Sequence, residues 1–195
     1  VTKLFDQTGN NCHATQETVA YQPKLVAGGD LITSGGKPAW EHQNVNPQQF
    51  LKFQGLANLS PMDSFYVVEA NDSTYTYPSG QSGGYYGFIV QDGASSDTNK
   101  FNSYNSPTLE VNGSEVSQAN RDELHDSLNG RKLVYHRNGA TSSWTEVKIG
   151  QYSTDADSIY SLSGHKFSEI IWYDSDQHAN QAGIESNINT HYTIY

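Results

Sequence analysis

Seven runs rich in β-branched and aromatic residues, none longer than eight, are set between turns bearing Gly or Asn-Gly, and this punctuation constrains the fold most. The runs are Phe50 to Phe53, Ser64 to Ala70, Tyr85 to Gln91, Thr108 to Val111, Arg131 to Arg137, Trp144 to Gln151 and Lys166 to Tyr173. Runs of this length between turn signals read as strands, because a helix able to bury one face needs a longer 3.6-residue pattern. The turns are Gly28-Gly29-Asp30, Ser34-Gly35-Gly36-Lys37-Pro38, Pro78-Ser79-Gly80, Asn112-Gly113, Asn129-Gly130 and Asn138-Gly139. An all-β domain is expected.

Two runs, Phe65 to Val68 and Phe167 to Tyr173, are apolar on both sides and read as strands between packed layers. In Arg131 to Arg137, Leu133 and Tyr135 share one face while Lys132, Val134 and His136 share the other, which predicts one wet face. Inward positions are expected to include Phe65, Val67, Ile89, Leu133, Val147, Ile149, Ile170 and Trp172; Trp40 also reads as structural. Ala94 to Ser106 reads as a long exposed loop, and Ser117 to Leu128 as a helical turn or a crossing loop. Near the end, Ser175 or Asp176 can cap a helix whose Ile184, Ile188 and Tyr192 fall at i, i+4 and i+8. That helix is expected to pack across one edge of the sheets.

A chain of 195 residues can bury one core, and no shift in composition marks a second domain, so residues 1–195 read as one unit. Because it opens at Val1 within a motif, the chain is expected to be an excised or processed piece of a longer protein. Eleven Lys plus Arg against twenty-one Asp plus Glu give a net charge of -10, which excludes a broad basic face for nucleic acid. No stretch approaches the ~20 apolar residues of a membrane span, so membrane insertion is not expected. Cys12 is the only cysteine, so no intrachain disulfide and no cysteine-pair zinc site can form. It adjoins His13, yet neighbours on an extended chain point apart, so no thiolate pair is implied.

Catalytic signatures are missing. Gly80 to Gly84 has no following Lys-Ser/Thr, no Gly-x-Ser-x-Gly elbow occurs, and the seven histidines never take a His-Glu-x-x-His spacing. The chain is therefore expected not to be an enzyme, with no cofactor beyond a candidate calcium ion at Asp155-Ala156-Asp157, to which Asp92 and Asp97 add oxygen ligands. Sugar binding needs flat rings for the apolar side of a pyranose and amides or carboxylates for its hydroxyls. Tyr75, Tyr77, Tyr85 and Tyr86 flank a Gly-rich turn, and Trp144 follows the loop Gly139 to Ser143, so these five are the candidate carbohydrate-binding residues.

Thr2 to Gln16, followed by Gln22-Pro23-Lys24-Leu25-Val26 and Gly36-Lys37-Pro38-Ala39, resembles the opening of concanavalin A-like (laminin-G-like) domains. Gly164 to Gln177, continuing through Ile184 to Tyr192, resembles their closing strand and helix. The resemblance implies a jelly-roll sandwich of two antiparallel sheets with a short C-terminal helix. It departs at Leu4-Phe5 for an aromatic pair, at Asn11-Cys12 for Gly-Asn, and at Glu41 to Asn44, where many relatives carry an Asp-Gly-rich turn. Such domains occur in phage structural proteins and in secreted bacterial surface proteins. The role implied is an exposed virion module, a tail fibre or capsid decoration, that binds host cell-surface glycans. Its implied partners are those glycans, other virion proteins and further copies of itself in a homo-oligomer.

The alternatives are a carbohydrate-binding or adhesin module of a secreted or cell-surface bacterial protein, or a glycoside hydrolase. The opening motif is also similar to the catalytic domain of B-type arabinofuranosidases, which would place a nucleophile at Asp63 and an acid at Asp155. That family's Gly-Gly-Asp-Asn pattern is replaced here by Gly150-Gln151-Tyr152-Ser153, and its cysteines are missing. A retaining pair must also stand ~5 Å apart.

Overall fold

The computed structural model describes residues 1–43, 49–56, 61–70, 108–116, 127–139, 147–149 and 164–195. The predicted strand Tyr85 to Gln91 and the predicted loop Ala94 to Ser106 lie outside these residues, as does most of Ser117 to Leu128.

The described chain is mostly β, with one C-terminal α-helix. A six-stranded antiparallel sheet dominates. It contains β7 (Trp40–His42), β9 (Met62–Ala70), β10 (Thr108–Val111), β11 (Ser114–Glu115), β12 (Gly130–Gly139) and β14 (His165–Tyr173) in the order β11-β10-β12-β9-β14-β7. A four-stranded antiparallel sheet joins β1 (Lys3–Leu4), β2 (Ala14–Thr15), β8 (Leu51–Phe53) and β13 (Val147–Ile149) in that order. Two small hairpins complete the strands: β3 (Val26–Ala27) with β4 (Asp30–Leu31), and β5 (Thr33–Ser34) with β6 (Lys37–Pro38).

The turn chemistry expected from sequence is present. Gly28-Gly29, Gly35-Gly36 and Asn112-Gly113 each close a two-residue hairpin with both residues at positive φ, the geometry that matches the twist of the flanking strands. Asn138-Gly139 is a correction. It falls inside β12, where the register against β9 shifts between His136 and Gly139.

β9 carries the core on both faces. Tyr66 and Val68 point into a cluster with Val134, Phe167 and Trp40, joined by Ala14, Leu51 and Ile149 of the four-stranded sheet. Phe53 of that sheet stacks on Trp172 of the larger one, ring centroids 5.7 Å apart. Phe65 and Val67 point the opposite way, into a second cluster with Leu133, Tyr135 and Ile188. Ile188 belongs to α1 (Gln181–Tyr192), whose Ile184 and Tyr192 face the same cluster.

Three expectations are corrected by this arrangement. The helix lies on a face of the six-stranded sheet, not across an edge, because Phe65, Leu133 and Tyr135 offer an apolar surface there. The face of β12 expected to be wet is not: Val134 packs toward the four-stranded sheet and is as buried as Leu133 and Tyr135. The inward positions divide between two clusters, with Phe65, Val67, Leu133 and Ile149 buried but Ile170 and Trp172 only half-buried. Ile89 and the side chain of Val147 lie outside the described residues. The cap also differs, since Asp176 accepts the His178 amide at 2.8 Å and so opens a 3-10 turn (His178–Asn180) that precedes the helix.

Beside the inter-sheet cluster, His42 of β7 is fully buried, edge-on to Phe167 and in register with His165 of β14. Its Nδ1 lies 3.0 Å from the Gln49 carbonyl oxygen, which can only accept, so Nδ1 carries the proton. Burial, with a smaller push from His165, lowers its pKa to about 4, against the partial support of the Gln49 carbonyl. The unfolded chain then binds the extra proton between pH 6.5 and 4, so stability present above 6.5 is lost as pH falls through that window. The expected loss from His42 is about 3 kcal/mol, read as the part of the fall in the denaturation midpoint between pH 7 and pH 4 that His42→Phe removes; His136, whose pKa burial likewise lowers to about 4, keeps the remainder.

Candidate functional site

On the outer face of the six-stranded sheet, away from the four-stranded one, the register sets charged residues side by side. Arg131 of β12 stands opposite Glu69 of β9, Glu69 opposite Lys166 of β14, and Lys166 opposite Glu41 of β7. Lys24 extends the row through a bridge to Glu41. Directly opposed residues of antiparallel strands project from the same face, so the five form one line of alternating sign. Each strand contributes one charge because its neighbours in sequence, such as Trp40 and His42 around Glu41, face the core.

Glu69 is held by both oxygens: Lys166 Nζ donates to Oε1 at 3.2 Å and Ser34 Oγ donates to Oε2 at 2.7 Å. The two charged side chains are about 28% and 33% exposed. A pair so wet contributes at most about 1 kcal/mol to stability.

Arg131 is held differently. Its Nη1 donates to the Tyr192 carbonyl at 2.7 Å, satisfying an end group of α1, and its guanidinium lies 5.7 Å from the Tyr192 ring centroid. The β5–β6 tip presses on the same group: a Cβ on Gly35 would fall 2.0 Å from Nη1, and Gly35 has a φ of +54°. Only glycine meets both demands without displacing the arginine. Arg131 Nε and Nη2 are buried and find no hydrogen-bond partner among the described residues.

The row borders a cavity of about 470 Å³ at the end of the sheet, lined by Glu41, Glu69, Asn129, Arg131 and Lys166. Ala70, Gly130 and Gly164 give it a small-residue rim. Carboxylates accept, cations donate and the Asn129 amide does both, so the cavity offers matched partners to a ligand rich in hydroxyls. A second concavity, about 890 Å³ and largely apolar, runs along Val1, Leu4, Phe5, Val19, Pro23 and Val26. Phe5 and Val19 are exposed there, and Lys3 Nζ sits 4.7 Å from the Phe5 ring centroid.

Of the residues singled out from sequence, Tyr75, Tyr77, Tyr85, Tyr86 and Trp144 lie outside the described residues, as do Asp92, Asp97, Asp155 and Asp157. Among the described residues, no group of three or more His, Cys, Asp or Glu could hold a metal ion. Asp63 is fully buried. Its Oδ2 accepts the Tyr135 hydroxyl at 2.6 Å and the Gln177 amide at 2.7 Å, tying the segment before α1 to the sheet. Burial and this carboxylate together push the Tyr135 phenol pKa up. Six residues of strand, about 20 Å, separate Asp63 from Glu69, so Asp63 stands at the far end of β9 from the cavity.

Sequence reasoning missed Arg131, Glu69, Lys166 and Glu41. The available signal was a lone charge set in or beside each apolar run, but which charges meet is decided by register between strands. Compared with protein-family models, with curated proteins and with solved structures, the chain finds no match.

Proposed function

We propose that this protein is a glycan-binding β module, a concanavalin A-like jelly roll displayed on a phage virion surface, with the cavity beside the charged row as its sugar site. The observation that carries the reading is the union of acceptors Glu41 and Glu69 with donors Arg131 and Lys166 around one cavity of ligand size. A fold at ordinary stability gains little from such a half-wet row, whereas a polyol gains a partner for each hydroxyl. Ala70, the last residue of β9, lines the cavity. Tyr75 follows it by five residues, at most about 18 Å of chain. Arrayed in a homo-oligomer among other virion proteins, weak sites of this kind sum to useful avidity.

The test is a glycan array probed with the domain displayed as an oligomer. Binding to host-surface polysaccharide is expected, weakened at least about tenfold by Glu41→Ala, which removes an acceptor worth about 1.4 kcal/mol or more. Silence across the array, or binding indifferent to Glu41→Ala, defeats the proposal.

A further inference from the structure

We propose that Arg131 recognises a carboxylate, so that the ligand of the cavity is a sugar acid and not a neutral sugar; this rests on the glycan-binding reading above. A guanidinium presents Nε–H and one Nη–H in parallel along its side, a spacing that matches the two oxygens of a carboxylate. In Arg131 that edge, Nε with Nη2, is the part left unpartnered, while Nη1 is engaged by Tyr192. Leaving buried donors unpaired costs about 1 to 3 kcal/mol each, and no hydrogen bond among the described residues offsets it here. Glu69 is the carboxylate nearest in register, yet its donors are Lys166 and Ser34, and Arg131 Nε and Nη2 do not reach it.

The group is also pre-set for the task. The Tyr192 carbonyl and the Tyr192 ring, both on the helix, hold the guanidinium, so little side-chain freedom remains to be lost on binding. Lys166 lines the same cavity and balances Glu69, leaving the Arg131 charge to the ligand. Glu41 remains to accept the sugar hydroxyls. Nε and Nη2 are shielded from water and Gly35 of the β5–β6 tip covers the Nε side of the group, so entry of the carboxylate lifts that hairpin. Its strands are two residues each, and lifting the tip gives up the hydrogen bond from Ser34 to Glu69.

The experiment compares, by titration calorimetry on the whole chain, oligomers of galacturonate, glucuronate and mannuronate with their methyl esters. Each ester keeps the sugar and removes the charge. At least one acid is expected to bind about tenfold or more tightly than its ester. Arg131→Lys, which keeps a cation but loses the parallel edge, should erase that preference, whereas Lys166→Met should leave most of it. Thermal unfolding of both variants confirms that they fold. Equal binding of acid and ester, neutral glycans bound with every acid silent, or Lys166→Met erasing the preference as fully as Arg131→Lys, overturns the carboxylate assignment and leaves the glycan reading standing. No binding to any glycan overturns both.

Discussion

Phe65→Ala is expected to lower the unfolding free energy by about 4 kcal/mol, the range found when a buried aromatic is truncated and its cavity stays open. In a domain of this size that corresponds to a midpoint lowered by roughly 10 °C. Phe65 is buried on β9, its ring stacked on Tyr135 with centroids 4.4 Å apart and planes 6° apart, and Tyr173 meets it edge-on at 6.1 Å. Alanine removes all of these contacts and loosens the floor on which Ile188 of α1 rests. Neighbouring strands are hydrogen-bonded to β9 on both sides, so the backbone cannot collapse into the void. Phe5→Ala serves as the control: that ring is 65% exposed, and its loss should shift stability by less than about 0.5 kcal/mol. Equal effects in urea denaturation would mean that the helix-covered face is not a core.

Asp63→Ala should be nearly as damaging, with an expected loss of about 3 kcal/mol. Removing a buried acceptor leaves its donors unpaired at a cost of about 1 to 3 kcal/mol each, and Oδ2 receives two, from Tyr135 and Gln177. Alanine leaves the Tyr135 hydroxyl buried without that acceptor and frees the segment that leads into α1. Asp63→Asn restores one acceptor oxygen and should recover part of the loss. A nucleophile, the role implied by resemblance to B-type arabinofuranosidases, predicts another pattern: turnover of an aryl arabinofuranoside lost in both variants while the melting curve stays put. Calorimetric melting beside that assay separates the two, and an unmoved midpoint for Asp63→Ala would refute the structural role.

What the sequence made legible was local. Gly28-Gly29, Gly35-Gly36 and Asn112-Gly113 announce their hairpins because positive φ at two successive positions is tolerated by few residue pairs. The run Phe65 to Val68 shows a strand covered on both sides because apolar residues fill both phases of its alternation. β12 was misread for a reason of the same kind. Lys132 and His136 gave one phase a polar look, although Val134 between them is buried against the second sheet. The helix could be seen from Ile184, Ile188 and Tyr192, but its berth could not, since a face and an edge ask for the same stripe. The charged row was beyond reach altogether. Glu41, Glu69, Arg131 and Lys166 are widely separated in sequence, and the shift between Phe167 and Glu169 in β14 alters the alignment in a way no single strand reveals.

The row has a consequence for descent. Glu41, Glu69, Arg131 and Lys166 each sit on a different strand, and the strands are joined through main-chain hydrogen bonds that do not depend on which side chain is present. Glu41 or Lys166 can therefore be exchanged, reversed in sign or shortened while the ladder keeps its register. Arg131 is the exception, bonded to the helix and packed close against the hairpin. On the proposed reading, a lineage built on this frame is free to drift in what it recognises at the β7 and β14 end while inheriting a fixed anchor at the β12 end, so that change of taste and conservation of architecture fall on separate residues.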